Sequence, residues 1–151
     1  MIAPAAVLAL TLVQAPVVCD WANRPSGKIY ACAAPDNKNA IVAFVCDAKT
    51  QTLGQIYFTL VTGKQGLSGK MSVKNGAKEQ LIPMLGIRVG MNGFASPAVP
   101  EVFEAVRKLV ESANGPLTFA PVDTPEVAPV SIDGAAIANG LKAAAAGCNG
   151  S

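Results

Sequence analysis

Four cysteines, Cys19, Cys32, Cys46 and Cys148, constrain this 151-residue chain more than any other feature. No two are spaced C-x-x-C, so a thioredoxin-like redox motif is absent and a four-cysteine zinc site would lack its usual close ligand pairs. An even number of cysteines in a small exported chain is read as two structural disulfides. Four cysteines allow three pairings, and spacing alone selects none of them.

Export is the reading the N-terminus supports. From Met1 to Cys19 there is no charged side chain, Ala3 to Val13 is almost wholly apolar, and Val13-Gln14-Ala15 supplies the small last residue of an A-x-A-like cleavage site. Residues 1–15 are therefore expected to be a signal peptide, and residues 16–151 a single domain in the periplasm or outside the cell. The alternative is an apolar N-terminal strand retained in the core. The apolar run falls short of the roughly 20 residues a membrane helix needs, so no stable span is expected once the signal is removed.

Hydrophobic residues make up 51% of the chain and charged residues 15%, with a formal net charge of +2. That balance argues against disorder and against nucleic-acid binding by bulk charge. Histidine is absent altogether, which removes the usual general base and the usual zinc ligand. The expectation is a non-enzyme with neither cofactor nor metal.

Periodicity gives the elements. Lys28 to Ala33 and Asn39 to Asp47 read as strands around Pro35-Asp36-Asn37, the second nearly continuously apolar as a central strand would be. Gln55 to Val61 alternates, with Ile56, Phe58 and Leu60 on one face. Met71 and Val73 repeat the pattern, and Asn75-Gly76 predicts a tight hairpin into a strand through Leu81 and Ile82. After the Gly- and Pro-rich passage from Gly86 to Pro97 the period becomes helical, with Val99, Val102, Phe103, Val106, Leu109 and Val110 as one stripe and Pro100 in the first turn. Leu117 to Phe119 and Ala128 to Ile132 add short strands about a proline-rich turn. Asp133 then caps a last helix whose inward side holds Ile137, Leu141, Ala145 and Cys148. The predicted fold is α+β: an antiparallel β-meander or small β-sandwich with two helices in the C-terminal half and two disulfides.

Catalytic motifs fail on inspection. The glycine-rich stretch Gly63 to Lys70 lacks phosphate-loop spacing and has Met71 where Ser or Thr is required. Gly66-Leu67-Ser68-Gly69 is one residue short of a nucleophile elbow. Scattered aspartates have no motif to pair them as glycosidase acids. Charge is uneven instead: between Ala48 and Pro100 stand Lys49, Lys64, Lys70, Lys74, Lys78 and Arg88 against Glu79 alone. Lys64, Lys70, Lys74 and Lys78 are therefore the candidate partner-binding residues, for a protein or an anionic envelope polymer. The plainer reading is that lysines discourage edge pairing of the strands.

The order Trp21, Cys32, Val42-Ala43-Phe44-Val45-Cys46-Asp47, then Val130-Ser131-Ile132-Asp133-Gly134-Ala135-Ala136 leading to Gly147-Cys148, resembles small periplasmic β-rich proteins of Gram-negative bacteria, the type VI secretion-associated TagO-like proteins. The resemblance implies that Cys46 ties a central strand to Cys148, leaving Cys19 to close a short loop with Cys32. Taken together, the sequence points to an exported, disulfide-stabilised, non-catalytic binding or accessory module of the bacterial envelope. A structural subunit that keeps its apolar N-terminus, and an inhibitor of a cell-wall hydrolase, are the alternatives.

Overall fold

The computed structural model of the protein describes residues 16–24, 27–34, 37–61, 69–87, 93–97 and 100–150. The expected signal at residues 1–15, the Pro35-Asp36 turn, Lys64, Ser68, Arg88 and Val99 lie outside the described residues. Strands β1 (Val18–Arg24), β2 (Gly27–Ala34), β3 (Asn37–Asp47) and β4 (Thr52–Val61) follow one another as antiparallel neighbours. Their alternation sets the layers: Cys32, Val42, Phe44, Ile56, Phe58 and Leu60 are buried on one face, as period-two side chains must be when one face meets the core. β1 was not foreseen, because Asp20 and Trp21 break any apolar alternation there.

Beyond β4 the two-sheet alternative wins over an uninterrupted meander. β5 (Gly69–Asn75), β6 (Lys78–Ile87) and β7 (Gly93–Pro97) run back, so that β7 pairs with β4 and the strand order is β1-β2-β3-β4-β7-β6-β5-β8-β9. β8 is Pro116–Pro121 and β9 is Val130–Asp133. β6 serves both sheets: Lys78 to Met84 pair with β5, and Leu85 to Ile87 pair with β7. The strand predicted through Leu81 and Ile82 thus continues past the exposed Pro83 to become the corner between the sheets.

The hairpin at Asn75-Gly76 forms, shifted by one residue. Asn75 pairs with Lys78, and Gly76 (φ 63°) takes the first central position of the turn with Ala77 second. A glycine there suits a two-residue loop in which only the first central residue needs positive φ. The shift frees the Asn75 side chain from the turn, and its amide donates to the Leu109 carbonyl (3.1 Å) and the Ser112 hydroxyl (3.2 Å).

Those acceptors lie at the end of helix α1 (Pro100–Glu111), whose Val106, Leu109 and Val110 are buried as the predicted stripe requires. An exposed Arg107–Glu111 pair (2.9 Å) runs along its outer side. Helix α2 (Gly134–Gly150) begins as expected, with the Asp133 carboxylate accepting from the Ala135 N–H (3.1 Å). Its inward stripe is Ile137, Leu141, Ala144 and Cys148. Ala144 replaces the predicted Ala145, since a step of three after Leu141 keeps the residue in line at 3.6 per turn. The core joins both sheets and both helices, with Phe58 of β4 meeting Phe119 of β8 edge to face at 5.6 Å. No helix among the described residues is long and apolar enough to cross a membrane.

Both disulfides are formed. Cys19 and Cys32 are cross-strand partners on β1 and β2, and Cys46 at the end of β3 is bonded to Cys148 near the end of α2, 102 residues away. This is the pairing that the TagO-like resemblance implies. Two formed disulfides point to an oxidising, extracytoplasmic compartment.

Candidate functional site

Among the described residues, helices cover one face of β2, β3 and β4. On the other face the same period of two presents Ile29 and Ala31 from β2, Ile41, Ala43 and Val45 from β3, and Gln55, Tyr57 and Thr59 from β4, all half-buried. Register places Ala31 beside Ala43 and Ala43 beside Tyr57, while Ile29 neighbours Val45 and Val45 neighbours Gln55. Small side chains therefore form a floor between larger ones, and the result is an open depression of about 920 Å³.

Polar groups sit at its rim. The Tyr57 hydroxyl donates to Gln55 Oε1 at 2.8 Å, which orients the phenol along the strand. At one end β3 and β4 are joined by the four-residue turn Ala48 to Gln51, after a register shift that leaves Gly54 as the extra residue on β4. The Asp47 carboxylate accepts from the N–H groups of Lys49 (2.8 Å) and Thr50 (3.2 Å). Those two bonds, with the nearby Lys49 ammonium adding to them, hold the Asp47 carboxyl below its usual value of 3.8 against a small opposing desolvation. Gln51 closes the turn at φ 55°, donating to the Asp47 carbonyl at 2.8 Å.

The lysines chosen from sequence lie elsewhere. Lys70 and Lys74 on β5 and Lys78 on β6 are exposed. Lys70 and Lys74 share the outward face of the second sheet. Lys78 pairs with Asn75, whose register follows Met71 and Val73, so it belongs to the opposite face at the hairpin end. Acids are interleaved: Glu79 is the cross-strand partner of Lys74, and the Asp123 carboxylate accepts from the Lys70 N–H at 3.4 Å. Ser72, between the two lysines, is buried and donates to Glu79. The structure thus brings Lys70 and Lys74 to one face and places Lys78 apart from them.

The depression was missed in the sequence, although its signal was there. A strand apolar on both faces reads, from sequence, simply as a central strand. In β3, Val42 and Phe44 serve the core while Ile41, Ala43 and Val45 line the open side. No family model, curated protein or solved structure matches the chain. Among the described residues, no three His, Cys, Asp or Glu side chains are grouped so as to hold a metal ion.

Proposed function

We propose that the chain is an exported, non-catalytic binding module of the bacterial envelope whose contact surface is the outer face of β2, β3 and β4. The observation that carries this is the alanine-floored depression on strands whose reverse side is fixed by two disulfides and a helix. Such an arrangement holds an apolar surface rigid, so little ordering entropy is lost when a partner binds. The occupant it suits is a protein presenting an apolar ridge, because the lining across β2 and β3 is aliphatic, with Gln55, Tyr57 and Thr59 along β4 and Asp47 and Lys49 at one end to set orientation. An inhibitory role against a cell-wall hydrolase falls within this class of partner. A TagO-like accessory role is part of the proposal, supported by the strand-to-helix bond Cys46–Cys148.

A second reading places an anionic polymer on Lys70 and Lys74. Their shared exposed face favours it, whereas Glu79 opposite Lys74 weakens the local field that would attract such a polymer. Site-specific photo-crosslinking in the intact cell envelope separates the two. A crosslinker at Ala43 should give a discrete protein adduct, lost on Tyr57→Asp with the melting temperature nearly unchanged. Adducts from position 74 alone would move the site to the lysine face. Absence of adducts from both positions would overturn the binding-module reading.

A further inference from the structure

We propose that β1 is a self-association edge, along which two copies of the chain pair antiparallel about a two-fold axis through Trp21. β1 stands at one end of the strand order, and its ladder with β2 runs from Val18–Ala33 to Arg24–Gly27 without a register shift. The strand has no lysine, no proline and no bulge, which are the usual devices that blunt an exposed edge. The opposite edge, β9, is four residues long and follows Pro129. Of the two end strands among the described residues, β1 is the one left long and regular.

Its backbone geometry says which groups face outward. The Cα atoms of Cys19 and Cys32 are 4.0 Å apart, the close spacing of a non-hydrogen-bonded antiparallel pair, against about 5.5 Å for a hydrogen-bonded one. Cys19, Trp21 and Asn23 share that parity, so their N–H and C=O groups point away from β2. An axis through Trp21 sets Cys19 opposite Asn23 of the second copy and Trp21 opposite itself, joining all these groups in about six hydrogen bonds.

Side-chain chemistry favours a second copy over a foreign strand. Val18 is 49% exposed and Trp21 41% exposed, one on each face of the strand, and both lose water contact on such pairing. The strand carries one acid, Asp20, next to the axis, and one base, Arg24, at its end. About the Trp21 axis Asp20 lies opposite Ala22 of the second copy and diagonal to its Arg24 and its Asp20, so two acid–base diagonals stand against one acid–acid diagonal.

Trp21 is the only tryptophan in the chain, so emission changes report on the surroundings of β1, and their concentration dependence reports on the interface. With the full chain, disulfides formed, sedimentation equilibrium should show a monomer–dimer transition, and Trp21 emission should move to shorter wavelength along the same concentration curve. Asp20→Lys and Arg24→Asp should each raise the dimer dissociation constant about tenfold, and an equimolar mixture of the two should restore association. Circular dichroism and thiol counts on each variant confirm that it is folded. A chain monomeric at all concentrations, a dimer that leaves Trp21 emission unchanged, or a mixture no tighter than its components would overturn the proposal. So would a monomer whose β1 edge captures a foreign extended peptide. The outer-face reading stands or falls separately, on the crosslinks from position 43.

Discussion

Trp21 of β1 and Gly147 of α2 pack ring against backbone, so closely that a Cβ on Gly147 would run into the indole. One helical repeat earlier, a Cβ on Gly140 would lie 2.9 Å from Cys32 Sγ and 3.4 Å from the Phe44 ring. The two glycines let the alanine-rich helix settle onto the β1–β2 hairpin and its disulfide. Tyr30 completes the contact on the strand side, its ring centroid 4.7 Å from that of Trp21. Lys28 Nζ stands 5.6 Å from the indole centroid.

These positions separate two opposing effects of Gly→Ala. In a helix the change gains about 1 kcal/mol, whereas forcing a methyl into a packed core costs about 1–3 kcal/mol. Cys32 and Phe44 are fully buried and cannot retreat, so Gly140→Ala should lower the melting temperature. The half-exposed indole can swing outward, so Gly147→Ala should shift Trp21 emission to longer wavelength with a smaller change in melting. Thermal melts and emission spectra of the two variants check both statements. A stabilised Gly140→Ala would disprove the close approach.

A third position tests the coupling of hairpin to helix. Asn75→Ala removes two side-chain bonds to the end of α1 and should cost about 1 kcal/mol. Asn75→Asp should cost more. Its carboxylate would face the Leu109 carbonyl and the negative end of the helix dipole, with no proton to donate. If urea melts gave Asp and Ala the same loss, the amide would be a turn residue and nothing else.

Asn75 also shows where sequence reasoning stops. The dipeptide Asn75-Gly76 marks a hairpin on local chemistry, but whether Asn or Gly opens the two-residue loop depends on strand register, which tertiary partners set. Elements with a clean period were legible: the alternation of Ile56, Phe58 and Leu60, the stripe of Val106, Leu109 and Val110, and the Asp133 cap. β1 and β7 were not. One is an edge strand exposed on both faces, and the other lies in Gly93-Phe94-Ala95-Ser96-Pro97, where glycine and proline mask any pattern. The depression was half legible, since apolar alternation in Ile41, Ala43 and Val45 was visible but nothing local says that neither described helix packs on this side of β3.

The disulfides should contribute unequally. Cys46–Cys148 spans 102 residues and Cys19–Cys32 spans 13, for which loop-closure entropy gives about 4.7 and about 3 kcal/mol respectively. Replacing both cysteines of the long-range bond with Ala should therefore destabilise the chain more than replacing those of the short one. Urea titrations of the two double variants measure the difference. Non-reducing peptide mapping should recover only these two cross-links, and denatured, unreduced protein should not react with a thiol reagent. A Cys32–Cys46 peptide would contradict the hairpin pairing outright.

The last prediction concerns the acid limb of stability. In the folded chain the Asp47 carboxylate accepts backbone N–H bonds from Lys49 and Thr50, which lowers its pKa relative to 3.8 in the unfolded chain. A depressed carboxyl binds its proton more weakly when folded, so its contribution is fully present above about pH 4 and is lost as pH falls from 3.8 through the lower folded value. Asp47→Asn keeps an acceptor oxygen for the turn but does not titrate. The gap in melting temperature between native chain and variant should be constant above about pH 5 and shrink steadily below about pH 4, while a carbon-detected titration of Asp47 should give a midpoint under 3.8. A gap that widened on acidification would mean that the turn holds the protonated carboxyl, reversing the sign of the linkage.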